Sequence, residues 1–130
     1  MSEPIYGTAI NCMDGRVHLP LLDWMKATYG VDYVDLITEP GPDKLLSSGS
    51  PEALASVRDK AQFLITVRGS KILVVAGHHD CKGNPVSREY HKEQIRKGVA
   101  VVRSWGLPAT IVGVWINQDW QVEVVDKGEA

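Results

Sequence analysis

The chain has 130 residues, of which 44% are hydrophobic and 23% charged, and its formal net charge is −2. This composition predicts one globular domain over residues 1–130 and excludes disordered and collagen-like chains. No apolar run reaches the roughly 18–20 residues that span a bilayer. The N-terminus lacks the basic and apolar regions of a signal peptide, and the basic residues are too scattered to bind nucleic acid. We therefore expect a cytoplasmic protein with neither a membrane nor a nucleic-acid partner.

The first half of the chain alternates between apolar runs and a helical pattern. Residues 5–12 are apolar and predict a strand, and residues 19–29 carry the apolar spacing of a helix that ends at Gly30. A second strand is predicted at residues 33–38, because the Glu-Pro-Gly-Pro segment that follows cannot continue it. Residues 43–49 form a polar, Ser/Gly-rich stretch with no predicted element.

The second half repeats the alternation with clearer boundaries. Ser50 and Pro51 are typical of a helix start, and Gly69 predicts the end of that helix. Residues 71–76 form an unbroken apolar run, as in a strand buried on both faces of a parallel sheet. Asn84-Pro85 predicts the start of a helix that extends to about residue 105. Two final strands are predicted at residues 110–116 and 121–125, the last one antiparallel at the sheet edge.

This order, β-α-β-α-β-α-β-β, indicates an α/β fold built from right-handed crossovers. We predict three layers: a mostly parallel sheet of about four strands plus an antiparallel edge strand, with helices on both faces.

Two cysteines, Cys12 and Cys81, are the only ones in the chain. Composition alone favours buried cysteines that act as small hydrophobes. However, residues 12–16 (Cys-Met-Asp-Gly-Arg) follow the first predicted strand, and residues 77–83 (Gly-His-His-Asp-Cys-Lys-Gly) follow the third. Parallel strands place both loops at the same edge of the sheet, so Cys12, His78 and Cys81 could converge there.

Two thiolates and an imidazole are ligands that zinc prefers, and three protein ligands leave one tetrahedral position open, as in catalytic sites. Other cysteine chemistries fit less well. A thiol-disulfide enzyme would carry Cys-x-x-Cys, which is absent, and a low-molecular-weight phosphatase loop would need an arginine where His18 stands. Redox sensing through the two cysteines remains a weaker alternative.

The motifs Cys-x-Asp-x-Arg and Gly-His-x-x-Cys resemble those of the β-class carbonic anhydrases over residues 5–125. The resemblance implies one Zn²⁺ per chain, held by Cys12, His78 and Cys81, and a catalytic pair of Asp14 and Arg16. In open sites of that family the arginine holds the aspartate, which accepts a hydrogen bond from zinc-bound water; in closed sites the aspartate binds zinc itself. The implied enzyme is a zinc lyase that hydrates carbon dioxide to bicarbonate, as a homodimer or higher homo-oligomer.

The sequence departs from this pattern at several points. Gly15 stands where the family usually has serine, residues 38–42 (Thr-Glu-Pro-Gly-Pro) replace a more polar segment, and a first strand near Ile5 leaves no room for the family's N-terminal helices. These departures leave two alternatives open: hydrolysis of carbonyl sulfide or carbon disulfide, and a non-catalytic zinc-binding structural or interaction module.

The sequence predicts less specific roles for the remaining histidines and for the tryptophans. His79 is a candidate proton relay, a partner that supports the neighbouring ligand or an alternative ligand, whereas His18 and His91 are expected to be solvated. The four tryptophans are expected in the core or at a subunit interface: Trp24, Trp105, Trp115 and Trp120.

Overall fold

The computed structural model describes residues 3–128. Within this range the chain forms five strands, four α-helices and one 3₁₀ turn. The strands are β1 (Tyr6–Cys12), β2 (Tyr33–Glu39), β3 (Ile72–His78), β4 (Thr110–Ile116) and β5 (Val122–Asp126). The 3₁₀ turn spans Gly15–Val17, and the helices are α1 (His18–Tyr29), α2 (Pro42–Ser48), α3 (Pro51–Arg68) and α4 (Arg88–Ser104).

The strands form one sheet in the order β2-β1-β3-β4-β5. The first four strands of that order are parallel, and β5 pairs antiparallel with β4. The predicted mostly parallel sheet with an antiparallel edge strand is therefore confirmed. From β1 the chain crosses to one side of the sheet, and from β3 it crosses to the other. The carboxyl ends of β1 and β3 thus flank a topological switch point, which is where open α/β sheets bind ligands.

Helices cover both faces of the sheet, as predicted. On one face α1 buries Leu21 and Met25 against alternate residues of the strands. On the other face α2, α3 and α4 contribute Leu46, Ile65 and Ile95 to a second apolar cluster. Every residue of β3 is buried because this central strand lies between the two layers.

The predicted start of α3 is confirmed. Ser50 Oγ accepts a hydrogen bond from the Ala53 N–H at 3.2 Å, and Pro51 occupies the first helical position. The helix ends at Gly69, whose φ of 66° is readily adopted only by glycine.

Three features differ from the sequence-based expectation by more than one residue. The stretch over residues 43–49 contains most of helix α2. This helix is stabilised because Leu46 is buried in the apolar cluster that it shares with α3 and α4. Helix α4 begins at Arg88 rather than at Pro85, since Ser87 Oγ caps it by accepting from the Tyr90 N–H at 3.2 Å. Strand β3 extends two residues beyond 76, so that His78 is its last residue rather than part of the loop.

Among the helices of residues 3–128, none combines the length and the apolar character needed to cross a membrane.

Candidate metal centre

The chain brings Cys12, His78 and Cys81 together at the carboxyl edge of the sheet. Cys12 ends β1, His78 ends β3, and Cys81 lies in the loop that follows β3. All three side chains are buried, and their candidate ligand atoms lie within 4.8 Å of one another. The convergence expected from the topology is present in the structure.

The geometry of these three residues fits a zinc ion. The two sulfur atoms are 3.9 Å apart and both cysteines are free. Thiolates that each lie about 2.3 Å from a tetrahedral zinc would be separated by about 3.8 Å. His78 Nδ1 donates to the His79 carbonyl oxygen at 2.7 Å, and the buried His78 Nε2 has no hydrogen-bond partner in the described chain. A second ring nitrogen fixed by a backbone carbonyl is the usual arrangement of a metal-binding histidine.

The environment separates the pKa values of the two thiols. The pKa of Cys12 lies well below its usual range, chiefly because Cys81 donates a hydrogen bond to it, with further help from His78 and from the backbone N–H groups of Gly41 and Asp14. The same hydrogen bond and burial raise the pKa of Cys81. Cys12 is therefore the more acidic of the two thiols, and because a metal binds thiolates, metal binding releases protons from this pair.

The Pro-Gly-Pro loop between β2 and α2 supports this centre. Gly41 has a φ of 62°, and a Cβ there would lie only 2.8 Å from Asn84 Cβ and 3.1 Å from the Gly83 carbonyl oxygen. Only glycine allows the loop to approach the Cys81 loop this closely while its N–H stabilises the Cys12 thiolate. The carboxylate of Glu39 turns to helix α3 instead, where it lies 3.7 Å from Lys60 Nζ.

Asp14 and Arg16 form a fork beside the three candidate ligands. Arg16 Nη2 donates to Asp14 Oδ2 at 2.7 Å and Arg16 Nε donates to Asp14 Oδ1 at 3.1 Å. Asp14 Oδ1 also accepts from the Arg16 backbone N–H at 2.9 Å, which caps the 3₁₀ turn. These hydrogen bonds outweigh partial burial and hold the pKa of Asp14 well below its usual range. Asp14 Oδ2 lies 4.0 Å from His78 Nε2, so an ionised carboxylate borders the candidate centre.

Gly15, which stands between these two residues, is not required by packing. A Cβ at this position would meet no atom within 4 Å, so a serine would find open space.

The structure corrects the expectation that His18 and His91 are solvated. His18 is partly buried, and its Nε2 lies 3.2 Å from the Cys12 carbonyl oxygen. His91 is buried, and the carboxylate of Asp43 compensates for its lost hydration by accepting a hydrogen bond from Nδ1 at 2.5 Å. His79 is exposed; its carbonyl oxygen orients His78, and a role of its imidazole as a proton relay stays a prediction.

A buried polar network behind the candidate centre was missed by the sequence analysis. Asn84 Nδ2 donates to Asp43 Oδ1 at 3.1 Å and to Gln94 Oε1 at 2.6 Å. Asp43 also packs against the strand residue before His78: a Cβ on Gly77 would lie 2.7 Å from Asp43 Oδ2. A signal for it exists in the sequence, since His91 and Gln94 lie on the same helical stripe as the predicted buried Ile95.

Of the four tryptophans, Trp115 lies in the core, as expected, and the other three are partly buried. Trp120 lies near the candidate centre, with its ring 6.4 Å from that of His79.

Comparison with solved structures shows the fold of the β-carbonic anhydrases. The β-carbonic anhydrase isoform I of Trichomonas vaginalis aligns with 99% of this chain and 87% of its own length, at 17% identity and a TM-score of 0.61. A carbonic anhydrase from Glaciozyma antarctica aligns with 91% of this chain and 80% of its own, at 19% identity and a TM-score of 0.56. A tetrameric β-carbonic anhydrase from Sordaria macrospora aligns with 98% and 83%, at 15% identity and a TM-score of 0.51.

The sequence itself matches the profile of the family described as "Putative carbonic anhydrase" over residues 2–126. The chain belongs to this family. A comparison with curated proteins gave no match.

Proposed function

We propose that the protein is a zinc lyase that hydrates carbon dioxide to bicarbonate. The observation that carries this proposal is the juxtaposition of a buried Cys-His-Cys set with an arginine-held carboxylate, in a chain of the carbonic anhydrase family. Cys12, His78 and Cys81 would hold one Zn²⁺ per chain. When bound, zinc acts as a Lewis acid that lowers the pKa of a coordinated water and thereby supplies a nucleophile near neutral pH.

The roles of Asp14 and Arg16 follow from their geometry. Asp14 is ionised throughout the physiological range because Arg16 lowers its pKa, so it accepts hydrogen bonds and is a poor proton donor. Both Asp14 oxygens receive donors from Arg16, which fixes the direction of the remaining lone pairs. Asp14 would therefore orient the attacking water, while Arg16 keeps the carboxylate from moving into a ligand position. This corresponds to the open form of the site.

The finer assignments belong to the same proposal. His79, exposed beside the candidate ligand His78, would pass protons to solvent. We propose one cytoplasmic domain over residues 1–130, which fits two free cysteines in a reducing compartment. We also propose homodimers or higher homo-oligomers, a proposal supported by the tetrameric state of the Sordaria macrospora β-carbonic anhydrase.

The test combines metal analysis with stopped-flow hydration of carbon dioxide. Protein purified without chelator should contain about one zinc per chain, and Cys12→Ser should lose both the metal and the activity. Asp14→Asn should keep the zinc and lose most of the activity. Stoichiometric zinc without hydration above background would favour the non-catalytic module, and full activity of Cys12→Ser would end the proposal.

A further inference from the structure

Two non-glycine residues in residues 3–128 have a positive φ: Asp80 at 57° and Trp120 at 58°. This conformation is unfavourable for L-residues, and most of all for a bulky side chain such as tryptophan. The two residues lie in different loops, after β3 and between β4 and β5. Both contact the guanidinium of Arg16, so the strained backbone is concentrated around one side chain.

Asp80 contacts a second edge of the Arg16 guanidinium, the edge formed by Nη1 and Nη2. Arg16 Nη1 donates to Asp80 Oδ2 at 3.3 Å, and Arg16 Nη2 donates to the Asp80 carbonyl oxygen at 3.1 Å. The guanidinium therefore joins the loop after β1 to the loop that carries Cys81. Its two edges face two carboxylates, which a neutral or a shorter basic side chain could not do.

Trp120 covers the face of the same guanidinium. Arg16 Cζ lies 4.9 Å from the centroid of the Trp120 ring, within the range of a cation–π contact. The turn that presents the ring is held by Asn117: its carbonyl oxygen accepts from the Trp120 N–H at 2.9 Å, and its Oδ1 accepts from the N–H of Asp119 at 2.9 Å and of Gln121 at 3.0 Å. The strained conformation of Trp120 is thus stabilised by the hairpin and aims the ring at Arg16.

We propose that Asp80 and Trp120 are positioning residues that hold Arg16 on Asp14. The side chain of Arg16 is 45% exposed, and the fork to Asp14 uses only one edge of its guanidinium, which leaves the other edge and both faces free to move unless other groups hold them. Contacts on a second edge and on one face restrict the guanidinium to the orientation that bonds Asp14. The effect on catalysis rests on the proposed function, whereas the effect on Arg16 itself does not.

The experiment measures the mobility of Arg16 directly, by ¹⁵N relaxation and hydrogen exchange of its Nε–H in the protein as purified. Asp80→Asn removes the charge but keeps the shape and tolerates a positive φ, and Trp120→Ala removes the ring. Each variant should speed exchange of the Arg16 Nε–H about two- to five-fold. Trp120→Phe, which keeps an aromatic face, should restore most of the protection. Unchanged exchange in both Asp80→Asn and Trp120→Ala would overturn the proposal.

Lys82→Gln is the matched control, because Lys82 is the other basic partner of Asp80, at 3.4 Å, and its side chain is 86% exposed. It should leave Arg16 exchange and hydration unchanged; equal loosening of Arg16 in this variant would overturn the specific role of the Asp80 contact.

Hydration kinetics supply the second readout. Asp80→Asn and Trp120→Ala should each lower kcat about two- to five-fold with KM unchanged, because both residues are proposed to act through Arg16. Loosened Arg16 with an unchanged kcat would overturn the catalytic consequence. A parent protein without hydration activity would contradict the proposed function instead, and the exchange measurement would still decide how Arg16 is held.

Discussion

Replacing Asp43 by alanine should destabilise the fold strongly, although Asp43 is not a candidate ligand. Its carboxylate is buried and accepts hydrogen bonds from the side chains of His91 and Asn84. Alanine leaves both buried donors short of a partner, and each unsatisfied group costs about 1–3 kcal/mol. Asn84 keeps its hydrogen bond to Gln94 Oε1 at 2.6 Å. We therefore expect a loss of about 3 kcal/mol in the free energy of unfolding.

Urea denaturation of the metal-free protein measures this loss. Asp59→Ala is the control: it makes the same change in net charge at a side chain that is 71% exposed, and it should stay within about 0.5 kcal/mol of the parent. A double-mutant cycle with His91→Ala should give a coupling energy of about 1–3 kcal/mol. A loss below about 1 kcal/mol in Asp43→Ala would refute the reasoning that this network is fully paired and buried.

The same substitution should weaken zinc binding, because the network reaches the loops that hold the ligands. Asn84 follows Cys81 in its loop, and Gly41, whose N–H stabilises the Cys12 thiolate, packs against Asn84. Residues that support metal ligands typically change affinity about 10–100-fold, and competition with a chromogenic chelator would measure this in Asp43→Ala. An unchanged affinity would show that the network stabilises the fold alone.

Three further predictions follow from the site. Arg16→Gln should lower the rate of carbon dioxide hydration, measured by stopped flow, about 100-fold. The control Arg103→Gln breaks a similar pair, 2.8 Å to Asp126 Oδ1 and far from the ligands, and should leave the rate unchanged. Equal effects of the two substitutions would contradict a specific role of Arg16. Because the pKa of Cys81 is raised, protons compete with the metal, and zinc affinity should rise about ten-fold per pH unit for each proton released. Titration calorimetry in buffers of different ionisation enthalpy would count the released protons. Zinc binding without proton release would contradict a protonated Cys81. Gly15→Ser should change unfolding free energy by less than about 0.5 kcal/mol, and a larger loss on denaturation would show that this turn needs glycine.

The sequence was sufficient to predict the strands and to select the residues of the candidate centre. The short, unbroken apolar runs of β3 and β4 favour buried strands, and the only two cysteines lie at or just after the ends of strands that the alternation makes parallel. Topology then brings both loops to one edge of the sheet. What the alternation cannot give is the register and the distances that decide whether three side chains form one site.

Other features depend on tertiary contacts that local patterns do not contain. Helix α2 has seven residues, too few to show a period, and it is stabilised by burial of Leu46. Asn84-Pro85 carries the pattern of a helix start, but the Asn84 amide bonds Asp43 and Gln94 across the fold. The positive φ of Trp120 is likewise invisible in sequence, because nothing about tryptophan favours it.

The switch point between β1 and β3 makes the candidate centre a long-range connection. Cys12 and Cys81 are 69 positions apart, and β2, α2 and α3 all lie between them in the chain. An ion held there, as proposed, closes this entire span, so its binding energy becomes folding energy. At a free zinc concentration 1,000 times the Kd, the folded state would gain about 4 kcal/mol. Zinc depletion would then weaken the association of the two halves of the sheet. A fragment that ends before β3 would retain one candidate ligand, Cys12, and could not form the site.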